Sequence, residues 1–190
     1  RGLVGSEMCI RDSYYTFFGT IGSIVFGILA AQLVNQKFFG RTFMRSILLF
    51  PYVGPVVALA YTWELLLDPY SGTLNNLLLN FQVIQEPLNL LGQKYLTINF
   101  FGFDLKLRLA LTTVIIFEIW RYFPLAFLFI LARLQAVPKE LYEAADVDGA
   151  GPLQKFISIT LPQITAVISI LFMIRFIWNF NKFEDIFLLT

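Results

Sequence analysis

The chain has 190 residues, of which 57% are hydrophobic and only 14% charged, and its mean hydropathy is +0.70. A soluble domain of ordinary composition is about 45–50% apolar and about 25% charged, so this composition points to a membrane protein and excludes a disordered chain, which needs low hydrophobicity and high net charge. The net charge of +1 offers no basic field for nucleic acid, the absence of His removes His-dependent nucleophiles and His-ligated metal sites, and the single Cys9 can form neither an internal disulfide nor a cysteine cluster. No cofactor and no metal site are expected.

The first 13 residues, RGLVGSEMCIRDS, are polar and give way abruptly to apolar sequence at Tyr14. They resemble translated adapter readthrough, the alternative being a genuine extracytoplasmic loop; residues 1–13 are read as non-native and left out of functional reasoning, Cys9 with them. Residues 14–190 are read as one transmembrane domain. A spanning helix needs about 20 mostly apolar residues. Four segments meet that length, at about 15–34, 46–67, 109–131 and 164–183. The first is free of charge and carries Gly19, Gly22, Gly27, Ala30 and Ala31, small residues that let helices approach closely. The second contains Pro51, Gly54 and Pro55, which predicts a kink or local break. The third contains Pro124 and the fourth is interrupted by Arg175.

Charge orients these spans. The loop after the first holds Lys37, Arg41 and Arg45 without an acid, and the loop after the third holds Arg133, Lys139 and Lys155. Cytoplasmic loops are enriched in Lys and Arg. Both loops are therefore expected inside, and the segment from Asp68 to Arg108 outside. That parity puts the start of the first span outside, so a preceding helix is expected to be missing.

Residues 135–162 are the polar interlude between the third and fourth spans. Pro138 can open a helix, Glu140 suits the positive end of its dipole, and Tyr142 to Ala145 continue it. Gly149 and Gly151 are expected to stop it, because glycine accepts a positive φ. Pro152 opens a second helix with Leu153, Phe156, Ile157, Thr160 and Leu161 on one face. Pro162 is expected to mark the next boundary.

Glu143-Ala144-Ala145, three residues, Gly149, nine residues, then Ile159-Thr160-Leu161-Pro162 resembles the EAA loop of ABC-importer permeases at every fixed position. Further stretches resemble carbohydrate-type permeases of the maltose and glycerol-phosphate kind. They are Arg41 to Pro55, Trp63 to Asn75, Trp120-Arg121-Tyr122-Phe123-Pro124, and Phe183 to Thr190 with Glu184 inserted against the usual pattern. The resemblance implies an all-α polytopic bundle, the core of a type I permease, as a fragment lacking the first and last spans. It implies a multi-pass protein of the bacterial or archaeal plasma membrane that imports a sugar or related polyol by alternating access. The implied partners are a second, homologous permease subunit, a cytoplasmic ABC ATPase dimer, an extracytoplasmic solute-binding protein and the lipid bilayer. The chain has no Walker-type loop, so ATP hydrolysis falls to the partner.

The residues implied to couple to the ATPase are Glu143, Ala144, Ala145, Asp148 and Gly149. Glu118 and Arg121 are i, i+3 neighbours within the third span, and Arg175 and Asn179 lie one turn apart in the fourth. Ionisable groups at that depth cost about 2.5–3.5 kcal/mol each on insertion scales and face a bundle or a cavity. Two readings stand for Glu118 and Arg121: a pair lining the solute pathway, or a structural ion pair. Arg175 either shares that cavity or tethers to Glu118. Trp120 and Trp178 either offer aromatic faces to a sugar or pack as ordinary anchors. The alternatives in function are a permease for another solute class, or a membrane scaffold that moves no solute.

Overall fold

The computed structural model describes residues 2–36, 38–82, 84, 87, 89–92, 96–100, 103–107 and 109–181, with side chains given from residue 12 onward outside the strands and residues 180–181. Lys37, Arg108 and the segment 183–190, all used in the sequence argument, lie outside the described residues. The elements in order are α1 (Gly2–Asn35), α2 (Arg41–Val53), α3 (Val56–Leu67), α4 (Thr73–Asn80), β1 (Leu96–Phe100), β2 (Phe103–Leu107), α5 (Leu109–Gln135), α6 (Lys139–Val147), α7 (Pro152–Lys155), a π turn (Phe156–Thr160) and α8 (Leu161–Asn181).

Among the described residues, three helical stretches are long and apolar enough to cross a membrane: Asp12–Asn35, Leu109–Gln135 and Pro152–Asn179. The helix of α1 continues without a break through the composition change at Tyr14. The pair α2 and α3 passes the same test together, but bends by 96° between Val53 and Val56. Gly54 and Pro55 fill that gap. Pro55 has no N–H to continue the α2 ladder and disfavours helical geometry in the residue before it. Pro51 and Pro124, by contrast, lie inside continuous helices.

The chain divides into two compact units. One comprises residues 16–52 and 119–179. Its core is shared by three helices: Ile24, Ala30, Ala31 and Val34 of α1, Ala126, Phe127, Ile130, Leu131 and Leu134 of α5, and Ile164 and Leu171 of α8. Close approach is built into α1. A Cβ on Gly27 would fall 2.6 Å from Ala126 Cβ and 2.9 Å from the Phe127 amide nitrogen, and one on Gly22 would strike the Ile119 side chain. Lipid is as apolar as leucine, so helices in a membrane associate through such packing and interhelical hydrogen bonds more than through the hydrophobic effect.

The other unit comprises residues 1–15, 53–118 and 180–190. Trp63 packs edge to face on Phe117, with ring centroids 5.5 Å apart. After α3, Asp68 organises a tight turn. Its Oδ1 accepts from the Tyr70 amide (2.9 Å), the Ser71 amide (2.7 Å) and the Ser71 hydroxyl (2.9 Å). Asn75, buried, donates from Nδ2 to the Asp68 carbonyl. Gly72 is required there, because a Cβ would sit 2.7 Å from the Leu66 carbonyl oxygen and 2.8 Å from the Asp68 nitrogen. Further along, β1 and β2 form an antiparallel hairpin with Leu96 opposite Leu107 and Phe100 opposite Phe103. The bundle is helical, and this hairpin is an addition to the all-α expectation; apolar residues at 96, 98 and 100 and at 103, 105 and 107 alternate with polar ones, a period of two that a search for long apolar runs passes over.

Candidate functional site

The segment between α5 and α8 builds its geometry from the residues singled out in the sequence. α6 begins behind Pro138, with Glu140 in its first turn. At the other end the Asp148 amide donates to the Ala144 carbonyl, the Gly149 amide to Asp146, and the Ala150 amide to Ala145 at 2.9 Å. The last two bonds make a Schellman cap, in which the residue after the cap adopts a left-handed backbone. Gly149 is that residue, with φ +72°. The spacing Ala145, three residues, Gly149 is the spacing from the third-last helical residue to the left-handed residue of this motif. Gly151 plays a different part than expected: its φ is −70°, and it caps the start of α7 in extended geometry.

No residue of α6 is buried. Tyr142 and Ala145 are half-buried, while Glu143, Ala144, Val147, Asp148 and Gly149 are exposed. The apolar side chains Leu141, Val147 and Leu153 stand open around the loop, Val147 at 88% exposure. Lys155 forms an ion pair with Asp146.

Pro162 does not end the helix. The chain from Pro152 to Asn181 is continuously helical, with Phe156–Thr160 in π geometry. The Leu161 amide donates to the Phe156 carbonyl, five residues back. Proline lacks an N–H, and in a regular α-helix its ring would press on the carbonyl four residues earlier, here Ser158. The wider π turn just before Pro162 gives that ring room, so the boundary expected from proline chemistry is absorbed. The feet of the two long helices are also tied. Arg133 near the end of α5 donates from Nε to the Gln163 carbonyl (3.0 Å) and from Nη2 to Gln163 Oε1 (2.7 Å).

The intramembrane residues fall into distinct places. Glu118 is fully buried on α5 and Arg121 is half-buried one turn later. Arg175 is buried on α8, and its guanidinium carbon stands 4.0 Å from the centroid of the Tyr122 ring. Arg121 stands 4.9 Å from the same ring, and Tyr52 meets it edge-on at 6.1 Å. A cation over an aromatic face is worth about 2 kcal/mol or more where water is excluded, which offsets much of the cost of burying Arg175. Asn179, also buried, donates from Nδ2 to Thr20 Oγ1 at 3.2 Å. Trp178 is 43% exposed and does not share the buried setting of Arg175 and Asn179, and Trp120 is half-buried. Sequence reasoning missed Tyr122 as the seat of two cations, and missed Thr16, Thr20 and Ser23. Those three are buried on one side of α1, and their i, i+4, i+7 spacing was the available signal.

Comparison with known proteins fits this arrangement. The family described as "Binding-protein-dependent transport system inner membrane component" matches residues 23–183. The chain is 37% identical over 177 residues to the inner membrane ABC transporter permease protein YcjO of Escherichia coli K12, covering 93% of this chain and 56% of that protein. It is 32% identical to the trehalose/maltose transport system permease protein MalF of Thermococcus litoralis, covering 95% of this chain and 59% of the relative. A crystal structure of a bacterial ABC transporter involved in importing the acidic polysaccharide alginate superposes with a TM-score of 0.68 at 26% identity, over 87% of this chain and 55% of that one. The chain thus spans a little over half the length of these proteins. The match over most of its residues, together with the apolar spans and the capped loop between them, places the chain in the binding-protein-dependent transport system inner membrane component family.

Proposed function

We propose that the chain is the membrane-spanning part of an ABC importer permease for a sugar or related polyol, in the plasma membrane of a bacterium or archaeon. It moves solute by alternating access, and ATP is hydrolysed in a separate cytoplasmic ATPase dimer. A second, homologous permease subunit completes the pathway, and an extracytoplasmic binding protein delivers the solute. One observation carries this reading: a short helix with no buried residue, ended by a left-handed glycine, is held out between two apolar spans. A helix of nine residues is marginal by itself in water, and exposed Leu141, Val147 and Leu153 suit a protein partner. Glu143, Ala144, Ala145, Asp148 and Gly149 are the coupling residues in this reading. Glu118, Trp120, Arg121, Arg175, Trp178 and Asn179 line or support the solute pathway. The sugar class is supported by the similar proteins that transport trehalose and maltose and that import alginate.

The test is uptake of labelled di- and oligosaccharides by cells carrying the full-length protein, its paired permease and its binding protein, with and without the ATPase subunit. Saccharide uptake that requires the ATPase is expected. Uptake indifferent to it, or confined to peptides or amino acids, overturns the reading. Labelling of a cysteine placed at Lys155 by an impermeant reagent in intact cells would overturn the cytoplasmic placement of the loop.

A further inference from the structure

Tyr142 lies on the half-buried side of α6, and its hydroxyl stands 3.0 Å from Thr160 Oγ1. Thr160 is buried, while Pro152, Leu153, Gln154, Ile157 and Ser158 before it are exposed. It is the last residue of the π turn, and its Oγ1 also lies 3.5 Å from the Lys155 carbonyl, where that turn begins. A threonine hydroxyl has one proton to give and can accept in return. The arrangement is satisfied in one direction: Tyr142 O–H donates to Thr160 Oγ1, which donates to the Lys155 carbonyl.

We propose that Tyr142 and Thr160 form a strut that passes displacement of α6 to α8. The covalent path between the two helices is poorly suited to that task. It runs through Gly149, Ala150 and Gly151 and then through a π turn, a geometry associated with functional bends in helices. The other direct tie, Lys155 to Asp146, is an exposed ion pair, which water and salt weaken. The Tyr142–Thr160 bond bypasses the glycines and joins α6 at the point where the π turn meets α8. Gln163, three residues beyond Thr160, is held in turn by Arg133 of α5. A push on α6 therefore reaches the feet of two spanning helices. Tyr142 and Thr160 are positioning residues here and touch no solute. The inference rests on the importer reading of this loop.

The experiment uses the full-length importer complex in proteoliposomes and measures solute moved per ATP hydrolysed. Tyr142→Phe and Thr160→Val are each expected to retain the ATPase subunit on co-purification but to lower that ratio by about fivefold or more, in the range of ordinary allosteric coupling. The double variant should be no worse than Thr160→Val alone, because that single variant already removes the Tyr142–Thr160 contact, along with the bond to the Lys155 carbonyl. Thr160→Ser, which keeps the hydroxyl, should hold the wild-type ratio. If Tyr142→Phe fails to accumulate in the membrane, the contrast between Thr160→Val and Thr160→Ser decides. A wild-type ratio in Thr160→Val, effects that multiply in the double variant, or equal losses in Thr160→Val and Thr160→Ser each overturn the strut. Wild-type uptake that ignores ATP overturns the importer reading itself.

Discussion

The amide of Asn179 at the far end of α8 donates to the hydroxyl of Thr20 on α1, joining residues 159 positions apart inside an apolar bundle. Ser23 Oγ donates to the Thr20 carbonyl at 2.9 Å, so the polar stripe of α1 is partly satisfied within its own helix. Interhelical hydrogen bonds in membrane proteins average about 0.6 kcal/mol and reach about 1.7. Thr20→Val removes the acceptor and leaves the Asn179 amide buried without it, which should lower the thermal midpoint of the detergent-purified protein. Adding Asn179→Leu should recover part of the loss, since replacing both partners leaves no orphaned donor. A Thr20→Val variant with unchanged stability would show that the bond contributes nothing net.

A second expectation follows from the contact between α1 and α5. The Cβ of any residue at position 27 would meet Ala126 Cβ and the Phe127 amide nitrogen. The latter is backbone and cannot rotate away. Gly27→Val should separate the helices and cost about 1–3 kcal/mol, the usual range for overpacking. Gly151→Val supplies the contrast, because nothing lies within 4 Å of a Cβ there and its φ of −70° suits any residue. Thermal stability of Gly27→Val equal to wild type would contradict the close approach.

Apolar length leaves a strong mark in the helices Asp12–Asn35, Leu109–Gln135 and Pro152–Asn179, whereas the segment expected as a span at 46–67 is divided between two helices bent by 96°. About 20 apolar residues without charge mean a spanning helix almost regardless of context. The gap between Ala145 and Gly149 encodes a helix cap, so a one-dimensional pattern carried a three-dimensional instruction. The bend between α2 and α3 was legible from Gly54 and Pro55, its angle was not, since angle depends on what each helix packs against. Pro162 misled for a physical reason: proline chemistry says where an α-helix ladder fails, and a π turn repairs it with a register shift that a 3.6-residue period cannot display. The setting of Arg175 on Tyr122 was illegible, because 53 residues separate them and no periodicity links α5 to α8. The buried stripe of Thr16, Thr20 and Ser23 was in plain view, hidden only by the greater length of the apolar pattern around it.

The turn after α3 should respond to acid in one direction. Hydrogen bonds from the Ser71 amide, the Ser71 hydroxyl and the Tyr70 amide hold the Asp68 carboxyl below its ordinary value. A carboxylate with a depressed folded-state pKa favours the fold above its unfolded pKa, and that contribution is lost as pH falls through the folded value. The Tyr70 and Ser71 amides should therefore stay protected from hydrogen exchange at neutral pH and through mild acid, and loosen only below the usual carboxylate range. Asp68→Ala should abolish this protection at every pH. Protection that disappears near pH 6 would point to another group.

Gly149 separates two roles by chemistry. Its φ of +72° opposes any residue with a β-branch, while nothing lies within 4 Å of where a Cβ would be. Strain and obstruction can thus be told apart. Left-handed geometry costs an ordinary L-residue about 1–2 kcal/mol, and asparagine meets it with less penalty. Gly149→Asn should therefore keep the cap of α6, whereas Gly149→Val should disturb it. If Gly149 serves only as a helix stop, Gly149→Asn should restore solute uptake to the wild-type level and Gly149→Val should lose protein from the membrane. If the open space over Gly149 is where the ATPase subunit docks, Gly149→Asn should reach normal membrane abundance, and its side chain, like that of Gly149→Val, should block docking. Both should then lose uptake and co-purification of the ATPase, because each puts a side chain into the same gap. Full uptake and co-purification in Gly149→Val at equal membrane abundance would remove this residue from coupling altogether.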